Sequence, residues 1–335
     1  MELENSSIPM EKPGKIMRRS IHTFLQHYQY FTSTPALLVF PFSASVLLSQ
    51  ALVPSTSSLL PTIHRHLLSL FDAAGFPPNS EFFSLLNLKL SQTISSSIFT
   101  LPFTLSFHLL AKATIIQALH YHKPTCPSSF SSLISTYNSL LLTLICNSFL
   151  ILSANATAFS ILFLAFNCLE EFGTSSPKSI FFLSASGAVL YSIILANALL
   201  VCNLALVSSG MDKCGGYLAI LKACVMIRGR ASTALSLALP TNLALAAAEA
   251  LFQYRVVRPY HFAKMPISSA ALEGVFIAYL YSILIVLDTV VACIFFKSCK
   301  MGSGVDQEGR YSYRIEIVEE DGRTFANLKN LEEEI

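Results

Sequence analysis

Six apolar runs, each long enough to cross a lipid bilayer, occupy most of this chain and leave few architectures open to it. They read as Pro35–Val53, Ile94–Leu119, Leu140–Phe166, Ile180–Ser209, Ala231–Phe252 and Glu273–Phe296. A helix rises about 1.5 Å per residue, so a hydrocarbon core of roughly 30 Å takes about 20 residues. Within lipid every backbone N–H and C=O must find a partner inside the protein, which helices provide for themselves. The runs therefore predict an all-α, polytopic membrane helix bundle with six transmembrane helices. Charge content points the same way. Charged residues make up 13% of the chain, against about 25% in a soluble domain, and mean hydropathy is +0.57.

This divides the chain into three parts. Residues 1–34 form a cytosolic leader with an amphipathic segment, 35–296 the transmembrane domain, and 297–335 a cytosolic polar and acidic tail. Lys12, Lys15, Arg18 and Arg19 are separated from the first apolar run by a polar-aromatic stretch, unlike a cleavable secretory signal. Orientation follows from the cations beside the spans. One side collects Lys12, Lys15, Arg18, Arg19, Lys112, Lys123, Lys213, Lys222, Arg228, Arg230, Lys297 and Lys300; the other has Arg65, Lys89, Lys178, Arg255, Arg258 and Lys264. The richer side is expected in the cytosol, and an even number of spans places both termini there. A net charge of +2 gives no reason to expect a nucleic-acid partner.

The third and fourth runs exceed the length a bilayer needs, so they should tilt, kink or project. Pro41, Pro102 and Pro240 interrupt spans and free backbone carbonyls that neighbouring helices or Ser/Thr side chains must satisfy. Between the first two spans, Ile63–Phe71 and Phe82–Leu90 are too short to cross and are expected to cap the bundle or lie on the outer leaflet. In the tail, Tyr311–Val318 alternates weakly like a strand with no obvious sheet to join, and Glu332, Glu333 and Glu334 read as a solvated end.

Two segments suit cytosolic interfacial amphipathic helices. Ile21–Phe31 places Ile21, Phe24, Leu25 and Tyr28 at helical spacing after four basic residues. Gly215–Arg230 (GGYLAILKACVMIRGR) combines an apolar stripe with Lys222, Arg228 and Arg230, which are candidate contacts for lipid headgroups or a partner. The alternative role for that segment is a structural elbow, with Gly229 turning the chain into the fifth span.

Within the spans Asp288 is the most pointed residue. It lies nine residues before Lys297, about 13 Å deep at helical rise. An unpaired charge near the bilayer centre costs at least about 2.5–3.5 kcal/mol, so Asp288 must face the interior and be paired or protonated. No second deep charge presents itself as a partner. Glu249 is shallower and is expected to snorkel toward Arg255 and Arg258. With Asn242 these carboxylates make a candidate intramembrane polar site; Asn147, Asn155, Asn197 and Asn203 add polar groups that could line a path or hold helices together. Small-residue runs at Ser184–Gly187 and Ala244–Ala248 predict close helix approach.

Other chemistry finds no pattern. The cysteines form no exterior disulfide framework, Cys214 and Cys299 are juxtamembrane candidates for acylation, and the pairs His64/His66 and His120/His122 lack the further ligands that zinc needs. The sequons at Asn5 and Asn155 are expected to stay unmodified, one cytosolic and one within a span. No phosphate-binding loop, zinc-protease helix, nucleophile elbow or dinucleotide fingerprint occurs. No cofactor, metal or catalytic residue is implied.

The runs LNLKLSQTISSSIFTLPFTLSFHLLAKATIIQALHYHKP (Leu86–Pro124), CNSFLILSANATAF (Cys146–Phe159) and the long stretch Leu190–Val257 resemble a family of uncharacterised plant six-span transmembrane proteins. The resemblance runs from about Ile16 to Phe296. It implies the same topology in a plasma membrane or endomembrane and carries over no catalytic residue. Gly216, Ala219, Gly229 and Arg230 are also similar to an element in some bacterial multi-pass domains. The leading functional expectation is a non-enzymatic protein that scaffolds partners or organises membrane lipid through its interfacial helices, with other membrane or cytosolic proteins as further partners. The alternative is a small-solute or proton-coupled transporter using an intramembrane carboxylate.

Overall fold

The computed structural model describes residues 12–56, 59–73, 81–120, 130–171, 177–259, 267–310, 313–320 and 323–330. Asn5, His122, Lys123, Cys126, Lys264 and Glu332–Glu334 lie outside them. The chain runs through α1 (Pro13–Gln26), α2 (Tyr28–Thr56), α3 (Leu59–Ala73), α4 (Glu81–Phe103), a π-helical turn at Thr104–His108 and α5 (Leu109–His120). It continues with α6 (Phe130–Glu171), α7 (Pro177–Asp212), α8 (Tyr217–Ile227), α9 (Ala231–Phe252), a second π-helical turn at Gln253–Val257, and α10 (Ile267–Arg310). Two strands, β1 (Tyr313–Glu320) and β2 (Arg323–Asn330), pair antiparallel in the tail. The strand-like alternation in the tail thus has a partner after all, supplied by the next segment of the chain.

Six helical stretches are long and apolar enough to cross a membrane: Tyr28–Ala51, Ser84–His120, Ser131–Cys168, Phe181–Asp212, Ala231–Val257 and Ala271–Lys300. They match the six runs in order and number. The second begins earlier than its run, so most of Phe82–Leu90 is the first part of a span and not a separate cap. The segment Ile63–Phe71 does form its own helix, α3, and packs on α4.

The bundle is organised around α10. Half of its most apolar window is buried, against 17–39% in the other spans, so α10 is the axial helix and the others lend it only part of their surface. It contacts α1, α2, α5, α7 and α9. Beside it α6 and α7 form a long antiparallel pair. Their seam is tied by Asn147 Nδ2 donating to the Cys202 carbonyl at 2.9 Å and by Tyr191 Oη donating to Asn155 Oδ1 at 2.9 Å. Gly187 lets this seam close: a Cβ there would come within 2.4 Å of Leu162 Cδ2. The asparagines at 147 and 155 therefore act between helices, where lipid offers no competing hydrogen-bond partner.

Pro102 interrupts its helix, and the turn after it is π-helical. Side-chain hydroxyls add bonds to carbonyls around this turn. Ser106 Oγ donates to the Pro102 carbonyl at 2.6 Å, Thr104 Oγ1 to Thr100 at 3.0 Å, and Tyr137 Oη crosses from α6 to the Leu105 carbonyl at 2.9 Å.

The N-terminal helix departs from expectation in its register. Ile16, Ser20 and Phe24 are the buried face of α1, which packs on α9 and α10, while Ile21 and Leu25 point outward and are 43% and 61% exposed. Spacing of four residues, with a small serine at the centre, lets α1 approach the bundle closely. The stripe read from sequence is thus split, Phe24 turning to protein and its neighbours away from it.

The turn between α7 and α8 is specified by backbone. Lys213 and Gly216 have positive φ, 54° and 76°. The Gly216 amide donates to Thr143 Oγ1 on α6 at 2.9 Å. A Cβ on Gly215 would stand 2.9 Å from the Ser139 carbonyl oxygen, a backbone atom with little room to retreat. Gly215→Ala should therefore destabilise the protein by about 1–3 kcal/mol, seen as a lower midpoint of thermal unfolding in detergent. Gly14→Ala, where nothing lies within 4 Å of the added carbon, should leave that midpoint unchanged.

Candidate functional site

Three polar constellations stand out, one at the basic end of the bundle, one inside it and one toward the opposite end. At the basic end Asp212, the last residue of α7, is the hub. Lys222 of α8 donates to its Oδ2, and Lys300 of α10 to its Oδ1 at 2.9 Å. The carboxylate is 13% exposed while the two lysines are 43% and 62% exposed, so the carboxylate is shielded and the cations are not. Arg230, just before α9, donates through Nη1 to the Cys299 carbonyl of α10 at 3.1 Å. Lys297 Nζ donates to the Leu119 carbonyl at 2.7 Å and so caps the C-terminal end of α5. Lys222 thus ties α8 to the end of α7, and Arg230 ties the turn after α8 to α10.

Two of the three predicted headgroup contacts are therefore committed to the protein: Lys222 to Asp212 and Arg230 to Cys299. Of the three, Arg228 alone is exposed with no side-chain hydrogen bond or ion pair among the described residues. The helix that carries them is apolar on two sides. Ala219, Ile220, Ala223 and Ile227 are buried in the bundle, whereas Tyr217, Leu218, Leu221 and Val225 are 49–69% exposed.

Inside the bundle four helices meet at Asp288. Thr241 Oγ1 on α9 lies 2.9 Å from Asp288 Oδ1, and Asn203 Nδ2 on α7 donates to Oδ2 at 3.4 Å. Asn203 accepts in turn, through Oδ1, from Lys112 Nζ on α5 at 3.2 Å. Lys112 is 7% exposed. Lysine is almost never buried to this extent without a partner, and here the partner is a carboxylate reached through one amide. The expectation that Asp288 has no second deep charge is corrected, because Lys112 is not a flanking cation. It sits eight residues before the end of α5, about 12 Å along the axis. Its buried amine belongs to the interior, not to the basic surface.

A cavity of about 40 Å³ opens beside Asp288. Asn203 and Asp288 are its polar walls; Leu204, Ile227, Leu237 and Phe295 are among its apolar ones. That volume holds a water but no larger solute.

The remaining carboxylate also turns inward. Glu249 Oε1 accepts from Tyr281 Oη at 2.8 Å and Oε2 from Gln50 Nε2 at 2.9 Å, while Gln253 Nε2 donates to Gln50 Oε1 at 3.3 Å. The snorkelling pair expected for Glu249 is not formed: Arg255 faces Glu273, 3.4 Å away. Asn242 is exposed on α9, next to Thr241 in sequence but on the outward side, so the structure does not bring it to Asp288 or Glu249. Sequence reasoning missed Lys112, Asn203 as a bridge, Thr241, Asp212, Gln50 and Tyr281. For Lys112 the available signal was a lysine well inside an otherwise apolar run.

Removing one member of a buried charge pair leaves the other uncompensated, a loss of about 3–5 kcal/mol. Lys112→Met and Asp288→Asn should each lower the unfolding midpoint in detergent. The double variant should recover part of that loss, and the shortfall from additivity measures the coupling that Asn203 transmits.

No curated protein matches this chain, and no solved structure does. A model of a protein family described as a domain of unknown function, DUF8558, matches residues 1–306. That match spans all six membrane-crossing helices together with α1 and α8, and the chain belongs to the DUF8558 family.

Proposed function

We propose that this is a non-enzymatic multi-pass protein that organises anionic lipid around its basic end, in a plant plasma membrane or endomembrane, with both termini in the cytosol. The observation that carries the reading is the presentation of α8. Eleven residues are too few to cross a bilayer. Its outward face nevertheless offers Tyr217, Leu218, Leu221 and Val225, which gain from contact with acyl chains. The Asp212 clamp holds that face in place, so little ordering entropy remains to be lost on binding. Exposed Arg228 and Lys213 stand at either end of α8, placed to meet headgroup phosphates.

The charge asymmetry supports the orientation. Cations gather around α1, α8 and the end of α10, and cytoplasmic loops carry the excess of Lys and Arg. Carriage of a solute finds less support, since the space beside Asp288 is about 40 Å³ and mostly apolar-walled.

Lipid retention tests the proposal. Protein purified in detergent is loaded with mixed phosphatidylglycerol and phosphatidylcholine, washed, and its bound lipid measured by mass spectrometry. Wild type should retain phosphatidylglycerol selectively, and less of it at high salt. Lys213→Gln with Arg228→Gln should weaken that retention by about 2 kcal/mol, roughly thirtyfold. Equal retention by variant and wild type would reject the basic end as the lipid contact.

A further inference from the structure

We infer that Asp288 is a reversible proton-binding site, with Thr241 as the hydroxyl that accommodates both of its states. The inference is independent of the lipid reading and rests on the interior cluster alone.

The argument begins with the number of hydrogens on Thr241. Its Oγ1 lies 2.9 Å from Asp288 Oδ1 and 3.0 Å from the Ala238 carbonyl oxygen, both within bonding distance. A hydroxyl carries one hydrogen and two lone pairs, so it can donate to only one of these acceptors at a time. When Asp288 is ionised, Thr241 donates to Oδ1. When a proton adds to Oδ1, the new O–H donates to Thr241 Oγ1, whose own hydrogen turns to the Ala238 carbonyl. Both states leave Thr241 Oγ1 and Asp288 Oδ1 bonded and differ by one hydroxyl rotation. A purely structural carboxylate needs only one such arrangement.

The second carboxylate oxygen is held in either state by Asn203 Nδ2, and Asn203 Oδ1 by Lys112. Other groups that face the pair are Cys293 on α10, within electrostatic reach of both Lys112 and Asp288, and His108, one turn before Lys112, whose ring lies against Phe42. Loading adds one positive charge to the cluster around Asp288 and Lys112.

The cavity at Asp288 extends along α10 through Val291 and Ala292 to Phe295, and along α9 back to Ala234, where α8 covers it with Ile227. All of these lie toward the end that carries Lys297 and Lys300. A water in the cavity finds Asn203 and Asp288 as polar partners. A hydronium entering there gives its proton to Oδ1 and leaves as water, which balances the step.

Infrared difference spectroscopy on proteoliposomes, titrated with buffer from alkaline to acidic pH, reads the site directly. The expected result is a carbonyl-stretch band of a protonated, hydrogen-bonded carboxylic acid that appears on acidification and is lost in Asp288→Asn. Thr241→Ser keeps the hydroxyl and should keep the band in place, whereas Thr241→Val should displace its frequency. If Asp288→Asn fails to fold, Glu249→Gln serves as the second variant, and the band must survive it and still respond to Thr241→Val. Absence of a titrating band in wild type would overturn the proposal and leave a permanently ionised pair. So would a band that persists in Asp288→Asn or vanishes in Glu249→Gln. So would a band indifferent to Thr241→Val. None of these outcomes bears on lipid retention, so the two readings stand or fall separately.

Discussion

Lipid hydrocarbon offers no hydrogen bonds, and the organisation of this protein follows from that refusal. A polar side chain in the span region must be matched by another part of the same chain or face a polar cavity. Asn147 through its Nδ2, Asn155, Ser139 and Tyr137 each supply one such bond, fastening α6 to α7 and to the π-turn beside Pro102. Asp288 and Lys112 meet it jointly. Neither would be tolerated in its helix alone, so α5 and α10 are each admissible only in the presence of the other, with α7 and α9 supplying the amide and hydroxyl between them. That mutual dependence fixes the arrangement of four spans more tightly than apolar contact could, because acyl chains compete with leucine but not with an amide.

The same requirement explains what could be read from the sequence. Six spans, their order and the kinking role of Pro102 follow from apolar length and from the missing proline N–H, both local properties. Asp288 was visible for the same reason, as a charge deep in an apolar run. Its partner was not, since Lys112 and Asp288 are joined only through Asn203, and such a path exists only after the helices pack. Counted along the chain, Lys112 lies seven residues before the end of its apolar run, near enough for a long side chain to read as one that reaches the headgroups. Its depth comes from α5 beginning directly after a π-turn and ending at His120. Glu249 illustrates the converse. Arg255 and Arg258 are its neighbours in sequence, but α9 turns its carboxylate toward Tyr281 and Gln50 on other helices.

Register was the least legible property. Of the two segments expected as interfacial helices, Gly215–Arg230 contains α8, whereas Ile21–Phe31 is divided between α1 and the start of α2. Both α1 and α8 are apolar on more than one face, so the sequence pattern alone left open which stripe meets protein. Packing chose Ile16, Ser20 and Phe24 in α1, and Ile220, Ala223 and Ile227 in α8. For the tail, the missing signal lay one step further on. Asp321-Gly322 is the dipeptide that short hairpin turns favour, and it stands between Tyr313–Glu320 and Arg323–Asn330, which pair.

The two proposed sites share one element. Ile227, the last residue of α8, closes the cavity beside Asp288, while the opposite face of the same helix is turned outward with Leu218, Leu221 and Val225. Three bonds connect that helix and its flanks to the spans: Lys222 to Asp212, Arg230 to the Cys299 carbonyl, and the Gly216 amide to Thr143. A helix held this way moves as a unit or not at all. If lipid on its outer face and a proton under its inner face each favour one position of α8, linkage makes their effects on one another equal. Acidification would then change anionic-lipid retention in wild type and leave it unchanged in Asp288→Asn. A rigid α8 gives no such cross-effect, whatever each site does alone.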